Sequence, residues 1–161
     1  MPNITLTVNG EKMTCTVAPD EKLLDTLRRL GRTDVKKGCG EGTCGSCSVL
    51  IDGRLMTSCI VFSARVDGAE IMTAAGLGTA NAPHPIQTSF VKAGAVQCGF
   101  CTPGMVLATK ALLDAVPKPD VSQIKMALDG NMCRCTGYVK IIEAVQDSAR
   151  VLAGENEVPH E

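Results

Sequence analysis

Two groups of four cysteines constrain this chain more than any other feature. The first group has the spacing C-x4-C-x2-C-x11-C and comprises Cys39, Cys44, Cys47 and Cys59. The second group combines C-x2-C with a later C-x-C and comprises Cys98, Cys101, Cys133 and Cys135. Thiolates at such short spacings are typical metal ligands, so each group is predicted to fold around one inorganic centre. Eight of the nine cysteines are assigned in this way, which leaves Cys15.

A disulfide framework in a secreted protein is the alternative explanation for so many cysteines. The N-terminus, Met-Pro-Asn-Ile-Thr-Leu, lacks the basic and then apolar segments of a signal peptide, and no apolar run is as long as a membrane span. We therefore expect a cytoplasmic protein whose thiolates bind metal. The formal net charge is −1 and the chain has no basic block, so nucleic-acid binding is not expected.

The spacing within each group bears on which metal is bound. C-x4-C-x2-C reproduces the ligand spacing of plant-type [2Fe-2S] ferredoxins, and glycines stand between these cysteines, where they let backbone N–H groups approach a cluster. Structural zinc prefers two short knuckles of C-x(2–4)-C, and the first group, with its lone fourth cysteine, fits that pattern poorly. The first group is thus predicted to be a [2Fe-2S] site. The spacing of the second group leaves zinc open as an alternative.

Residues 1–76 have the apolar pattern of strands and one short helix. The pattern predicts a hairpin over 4–8 and 13–17 around Asn9-Gly10, a helix capped by Asp20, a second hairpin over 48–51 and 55–60, and a last strand at 71–72. Two hairpins and a crossing helix predict a β-grasp domain like that of plant ferredoxins. Cys15 lies on the apolar face of the second strand, which favours a buried structural thiol over a redox group.

The rest of the chain has a helical period. Residues 77–85 are rich in Gly, Ala, Asn and Pro and are predicted to be a linker, in which His84 is a solvated or helix-capping imidazole and not a metal ligand. Residues 86–152 are predicted to form a four-helix bundle, with Pro103 in the first turn of one helix and Asp120 with Gln123 as the capping box of another. Residues 153–161 form a polar tail. The predicted fold class is α+β, with the β-grasp domain first and the helical domain second.

The motifs around the cysteines resemble one family. They are the segments 37–47 (Lys-Gly-Cys-Gly-Glu-Gly-Thr-Cys-Gly-Ser-Cys), 96–105 (Val-Gln-Cys-Gly-Phe-Cys-Thr-Pro-Gly-Met) and 130–138 (Gly-Asn-Met-Cys-Arg-Cys-Thr-Gly-Tyr). Together they resemble the iron–sulfur subunit of molybdenum hydroxylases, the family of xanthine dehydrogenase, aldehyde oxidoreductase and carbon monoxide dehydrogenase. The gap of eleven residues before Cys59 also matches, and the resemblance extends over nearly the whole chain. Thr43 and Ser46 depart from the residues common in the family, but neither is a ligand position.

This resemblance implies two [2Fe-2S] clusters, held by the two cysteine groups, and partner subunits that carry the other cofactors. The partners are a large subunit with molybdopterin and, usually, a medium subunit with FAD, assembled as a dimer of heterotrimers. The chain would then relay single electrons between molybdenum and flavin in an oxidoreductase complex, with no catalytic residues of its own. The resemblance also places Gln97 and Cys135 against the molybdopterin. The competing hypotheses are a free-standing ferredoxin-like carrier and a zinc-bound interaction scaffold; a helix cap is the competing role for Gln97.

Overall fold

The computed structural model describes residues 1–155 and has a mixed α/β fold. Five strands form one sheet: β1 (Asn3–Val8), β2 (Glu11–Thr16), β3 (Ser48–Ile51), β4 (Arg54–Thr57) and β5 (Glu70–Met72). Their order across the sheet is β2-β1-β5-β3-β4. β1 and β5 run parallel, and the other neighbouring strands are antiparallel.

The helices of the described residues are α1 (Leu23–Arg29), the single turn α2 (Ala74–Leu77), α3 (Pro85–Lys92), α4 (Thr102–Ala115), α5 (Val121–Leu128) and α6 (Val139–Leu152). His84 caps α3, because its imidazole accepts a hydrogen bond from the Ile86 N–H. Asp120 and Gln123 form the capping box of α5. The capping role predicted for His84 and the predicted capping box are therefore confirmed.

The hairpin between β1 and β2 turns at Asn9-Gly10, as the sequence predicts. Both residues have positive φ, 54° for Asn9 and 81° for Gly10, as a tight primed turn requires. The Asn9 side chain also ties this turn to the end of β5, since its amide donates to the Thr73 hydroxyl and its carbonyl accepts from the Thr73 N–H. The turn thus helps to hold the first and last strands side by side.

Two details differ from the sequence prediction. Asp20 does not cap α1, whose first turn follows Lys22 without a side-chain cap. The second hairpin ends at Thr57, and Cys59 lies in a 3₁₀ turn over Ser58–Ile60. Local capping and turn hydrogen bonds set these boundaries, and the apolar pattern does not resolve them.

The described residues contain two separate hydrophobic cores. One lies between the sheet and α1, and its large fully buried side chains include Leu6, Val8, Leu23, Leu27 and Ile71. The other lies among α3 to α6, and its large fully buried side chains include Ile86, Phe90, Met105, Ile124 and Ile141. Phe90 is buried, whereas Phe62 and Phe100 are 41% and 45% exposed, so aromatic rings contribute little to either core.

No helix among residues 1–155 combines the length and the apolar character needed to cross a bilayer. The predicted polar tail, residues 153–161, falls mostly outside the described residues, which end at Glu155.

Candidate metal centres

The first cysteine group is carried by the loop between α1 and β3 and by the 3₁₀ turn after β4. Cys39 is exposed, Cys44 is half-buried, and Cys47 and Cys59 are buried. The Cys39 and Cys44 side chains are adjacent, and so are those of Cys47 and Cys59. The loop and the turn therefore bring the four thiols together as two close pairs.

Backbone N–H groups point at these sulfurs. The Cys39 sulfur accepts from the N–H groups of Glu41, at 3.5 Å, and Cys44, at 3.4 Å. The Cys59 sulfur accepts from the Gly42 N–H at 3.2 Å. Gly42 has a φ of 84°, a left-handed conformation that glycine adopts without strain. The glycines of this loop thus serve the purpose that the sequence indicates, which is to aim backbone donors at the cysteine sulfurs.

The same donors and the degree of burial shift the thiol pKa values. The N–H groups of Glu41 and Cys44 lower the pKa of Cys39 to about 6, because hydrogen bonds stabilise the thiolate. Burial, together with the adjacent Cys47 thiol, raises the pKa of Cys59 to about 11. Cys39 is therefore ready as a thiolate ligand at neutral pH, whereas Cys59 needs the charge of a metal to lose its proton.

The second cysteine group lies on two connections between helices, the one from α3 to α4 and the one from α5 to α6. Cys98 lies between α3 and α4, Cys101 is the N-cap of α4, and Cys133 and Cys135 lie between α5 and α6. The sulfurs of Cys98 and Cys135 are 3.6 Å apart, and the Cys101 thiol lies beside the Cys133 thiol. Cys98 and Cys135 are exposed, whereas Cys101 and Cys133 are half-buried. This group also forms two close pairs.

Tyr138 and Thr136 shape the loop around Cys133. The Tyr138 hydroxyl accepts from the Cys133 N–H at 2.8 Å and donates to the Asn131 carbonyl at 3.1 Å. The Thr136 hydroxyl donates to the Cys133 sulfur at 3.2 Å. In the sequence, Tyr138 stands out only as the last residue of the motif at 130–138, which does not by itself reveal this role. The sequence signal for this role was the Thr-Gly-Tyr run after Cys135. Gly137 and Tyr138 of this run both have positive φ.

Burial and local donors act in opposite directions on these thiols. Burial raises the pKa of Cys101 to about 12, and the Cys133 thiol adds to the effect. Burial is the largest single influence on Cys133 and acts to raise its pKa, but hydrogen bonds from Thr136, the Cys135 backbone and the Cys101 thiol together outweigh it and lower that pKa to about 7. The Cys98 thiol is the main cause that raises the pKa of Cys135. Each group thus contains one thiol that ionises readily and one that needs metal charge.

The arrangement in pairs suits a dinuclear centre. Four cysteines hold a [2Fe-2S] cluster, two on each iron, so two close thiol pairs are the donor set that it requires. Two close thiol pairs in each group therefore fit the two irons of a [2Fe-2S] cluster.

The remaining candidate residues lie outside these pairs. Gln97 is exposed next to Cys98, and it caps neither neighbouring helix, because the C-cap of α3 is Ala93 and the N-cap of α4 is Cys101. Cys15 is half-buried on β2 and packs against the core of the sheet. The sequence pattern favoured a buried thiol, so Cys15 is more exposed than predicted.

Comparisons with known proteins agree with two iron–sulfur sites. Residues 6–74 match the family described as "2Fe-2S iron-sulfur cluster binding domain", and residues 73–146 match the family described as "[2Fe-2S] binding domain". The small FeS subunit of nicotinate dehydrogenase from Eubacterium barkeri is 46% identical over 144 residues, which cover 89% of this chain and 92% of that subunit.

Two solved structures have the same fold over the whole chain. Quinoline 2-oxidoreductase from Pseudomonas putida 86 contains a chain with a TM-score of 0.90 and 39% identity, and the match covers 98% of both chains. Aldehyde oxidoreductase from Desulfovibrio desulfuricans gives a TM-score of 0.95 and 40% identity, with 100% of this chain matched to 18% of that longer chain. The same unit thus occurs both as a separate chain and as part of a longer one.

Proposed function

Since the chain belongs to the family of small iron–sulfur subunits of molybdenum hydroxylases, we propose that its two cysteine groups hold two [2Fe-2S] clusters through which electrons pass between larger partner subunits. Membership rests on the nicotinate dehydrogenase subunit, which this chain covers almost completely. The helical half, which a free-standing ferredoxin lacks, is part of that match, so the hypothesis of a free-standing carrier is not favoured. Zinc is not favoured either, since both matching families are described as binding [2Fe-2S].

The ligands of the first cluster are proposed to be Cys39, Cys44, Cys47 and Cys59, and those of the second Cys98, Cys101, Cys133 and Cys135. The observation that carries this assignment is the pairing of the thiols, two pairs in each group, with backbone or hydroxyl donors on their sulfurs. A [2Fe-2S] cluster takes up and releases one electron at a time, which is the chemistry of a relay. The chain's own residues bind the cluster, aim donors at its sulfur ligands and set how much of each ligand is exposed.

The finer architecture is also a proposal. Residues 1–76 are proposed to be a β-grasp domain around the first cluster, and residues 86–152 a helical bundle around the second, with 77–85 between them. The two separate hydrophobic cores support this division, since the buried residues of each come from only one side of the predicted linker, although Leu55 of β4 and Leu77 pack against the second core. Each domain then has its own core and its own cluster.

The exposed thiols suggest where the partners bind. Cys98 and Cys135 of the second group are exposed together with Gln97, and we propose that Gln97 and Cys135 contact the molybdopterin of a large subunit. Cys39 is the exposed member of the first group and is proposed to face the FAD of a medium subunit. The complex is proposed to be a dimer of such heterotrimers in the cytoplasm, with a heteroaromatic compound or an aldehyde as the substrate of the large subunit.

The test of the proposed function is the metal content and the spectrum of the purified complex. Four irons and four acid-labile sulfides are expected for each copy of this chain, in two spectroscopically distinct centres. Cluster absorption in the visible range should bleach on reduction. Two irons per chain, or stoichiometric zinc without visible absorption, would contradict the proposal.

A further inference from the structure

The loops that carry the two cysteine groups touch at a contact in which no side chain fits. A Cβ atom at Gly104, near the start of α4, would lie 2.3 Å from the carbonyl oxygen of Gly45. A Cβ atom at Gly45, between Cys44 and Cys47, would lie 2.3 Å from the carbonyl oxygen of Gly130. These distances are far below normal van der Waals contact, so residues 45 and 104 must both be glycine for the loops to come this close. Gly45 also has a φ of 69°, which disfavours any other residue.

Asn131 fills the space beside these two glycines. Its side chain is buried, with 4% of its surface exposed, and its amide oxygen has no hydrogen-bond partner within residues 1–155. That oxygen lies 2.5 Å from the Cβ position of Gly45 and 3.1 Å from that of Gly104. It therefore faces glycine Cα–H groups, which are weak donors. An unpaired buried amide oxygen costs free energy, so this side chain is not explained by stability alone.

The same contact contains a backbone hydrogen bond between the two cysteine loops. The Met132 N–H donates to the Cys44 carbonyl oxygen at 2.9 Å. Met132 precedes Cys133 of the second group, and Cys44 belongs to the first. The side chains of Cys44 and Cys133, the backbone of Met132 and this hydrogen bond therefore connect a sulfur of one group to a sulfur of the other. The 2.9 Å between the Met132 nitrogen and the Cys44 oxygen is shorter than the 3.5–4.0 Å of an ordinary carbon–carbon contact.

We propose that Gly45, Gly104 and Asn131 form a positioning joint that fixes the separation of the two cysteine groups, and that the hydrogen bond from Met132 to Cys44 carries the electron between them. This inference rests on the proposed function, because it needs a cluster in each group. In each transfer, one centre loses one electron and the other gains it; no bond is broken and no proton moves. The joint acts by geometry: it keeps the donor and acceptor of the hydrogen bond in contact.

The structure offers a matched pair of substitutions. Gly104→Ala places a methyl group against the Gly45 carbonyl and must push the two loops apart. Gly130→Ala adds the same methyl group to the adjacent loop at a position where a Cβ has no neighbour within 4 Å. Asn131→Ala is a second test variant that empties the joint without a clash. A contact that only stabilises the fold would change the unfolding temperature and leave the distance between the centres unchanged.

The separation is read by electron paramagnetic resonance of the assembled complex after reduction with dithionite. Two nearby paramagnetic centres split each other's signals, and the splitting falls with the cube of their separation. We expect the wild-type splitting in Gly130→Ala, a smaller splitting in Gly104→Ala, and a smaller, broadened splitting in Asn131→Ala, each with four irons per chain. If Gly104→Ala loses iron, Asn131→Ala decides the test.

Wild-type splitting in Gly104→Ala, or in Asn131→Ala where Gly104→Ala has lost iron, would overturn the positioning joint. Four irons in the wild type without any splitting would also overturn it. Wild-type protein without iron would instead refute the proposed function. The electron route is read separately, from the rate at which an electron injected by pulse radiolysis equilibrates between the two centres. It should fall at least tenfold in Gly104→Ala or Asn131→Ala and stay unchanged in Gly130→Ala. An unchanged rate in both test variants would overturn the route.

Discussion

The backbone N–H of Met132 donates a 2.9 Å hydrogen bond to the carbonyl oxygen of Cys44, which joins the loops of the two cysteine groups. The two residues belong to different halves of the chain, and the contact uses only their backbone groups. It exists because Gly45 leaves room for the backbone at Gly130, and Gly104 lets α4 approach the first cysteine loop. The spacing of the two cysteine groups is therefore a property of the interface between the halves.

Replacing Cys15 by Ser should leave four irons per chain. Cys15 lies on β2 at the edge of the sheet and packs against the core of the sheet, apart from both thiol groups. Iron analysis of the purified variant checks this. Cys47→Ser is the matched control, because it replaces a thiol of the first group and should lose that cluster. A variant at Cys15 with only two irons would show that the ligand assignment is wrong.

Removal of the metal should abolish cooperative unfolding. Only one of the three phenylalanines is buried, so the cores are built mostly from aliphatic side chains. The stability of the fold therefore depends on the metal centres that the cysteine loops surround. Metal binding contributes directly to folding free energy when the unfolded chain has no preformed site. Calorimetry of chelator-treated protein should show no sharp transition. A metal-free chain that still unfolded cooperatively near the temperature of the intact protein would contradict this.

Tyr138→Phe should destabilise the second centre selectively. The change removes the acceptor for the Cys133 N–H and the donor to the Asn131 carbonyl, and unpaired buried groups cost about 1–3 kcal/mol each. The second cluster should therefore lose iron faster under chelator challenge. The first cluster, followed by its own spectroscopic signal, is the internal control. Equal rates of iron loss from the second centre in variant and wild type would exclude this role of Tyr138.

Acidification should weaken α3 through His84. Burial lowers the pKa of His84, Lys110 lowers it further and Asp114 opposes them, and only the neutral imidazole can accept the Ile86 N–H. A depressed folded pKa means that the stabilisation is fully present above the unfolded pKa, about 6.5, and is lost as the pH falls through the lower folded value.

The matched control for His84 is His84→Asn, which keeps a capping acceptor that does not titrate. The unfolding temperature of the wild type should fall relative to this variant as the pH drops from about 7.5 to about 5.5. The full difference should approach that of a lost cap, about 1 kcal/mol. Parallel pH profiles for the two proteins would rule out the titration of His84 as the cause.

Gln97→Ala should keep both clusters but slow electron entry from the large subunit. Gln97 is exposed beside Cys98 and caps neither neighbouring helix, so its amide is free to bind a partner group. Loss of a buried amide contact in the complex would leave partner groups unpaired at about 1–3 kcal/mol. Stopped-flow reduction of the iron by substrate checks this. Thr79→Ala, an exposed change in the predicted linker, is the control, and equal rates in the Gln97 variant would show that Gln97 does not contact the cofactor.

The sequence by itself determined the two cysteine groups, the cluster type predicted for the first of them, the hairpin at Asn9-Gly10, and the capping box of α5. These are local features, because ligand spacing, turn residues and caps act over a few positions. It also carried the family resemblance, which the relatives confirm. Local patterns failed at element boundaries: Asp20 is not a cap, and Cys59 lies in a 3₁₀ turn instead of a strand.

Tertiary structure alone decided how the two cysteine groups face each other. The pairing of Cys98 with Cys135 joins two different connections between helices, and the contact between Gly45 and Gly104 joins the two halves of the chain. No periodicity encodes such contacts, since they depend on how elements distant in sequence pack together. A glycine in the sequence signals only conformational freedom, and the fold shows that residue 104 must be glycine because another backbone occupies the space of its side chain.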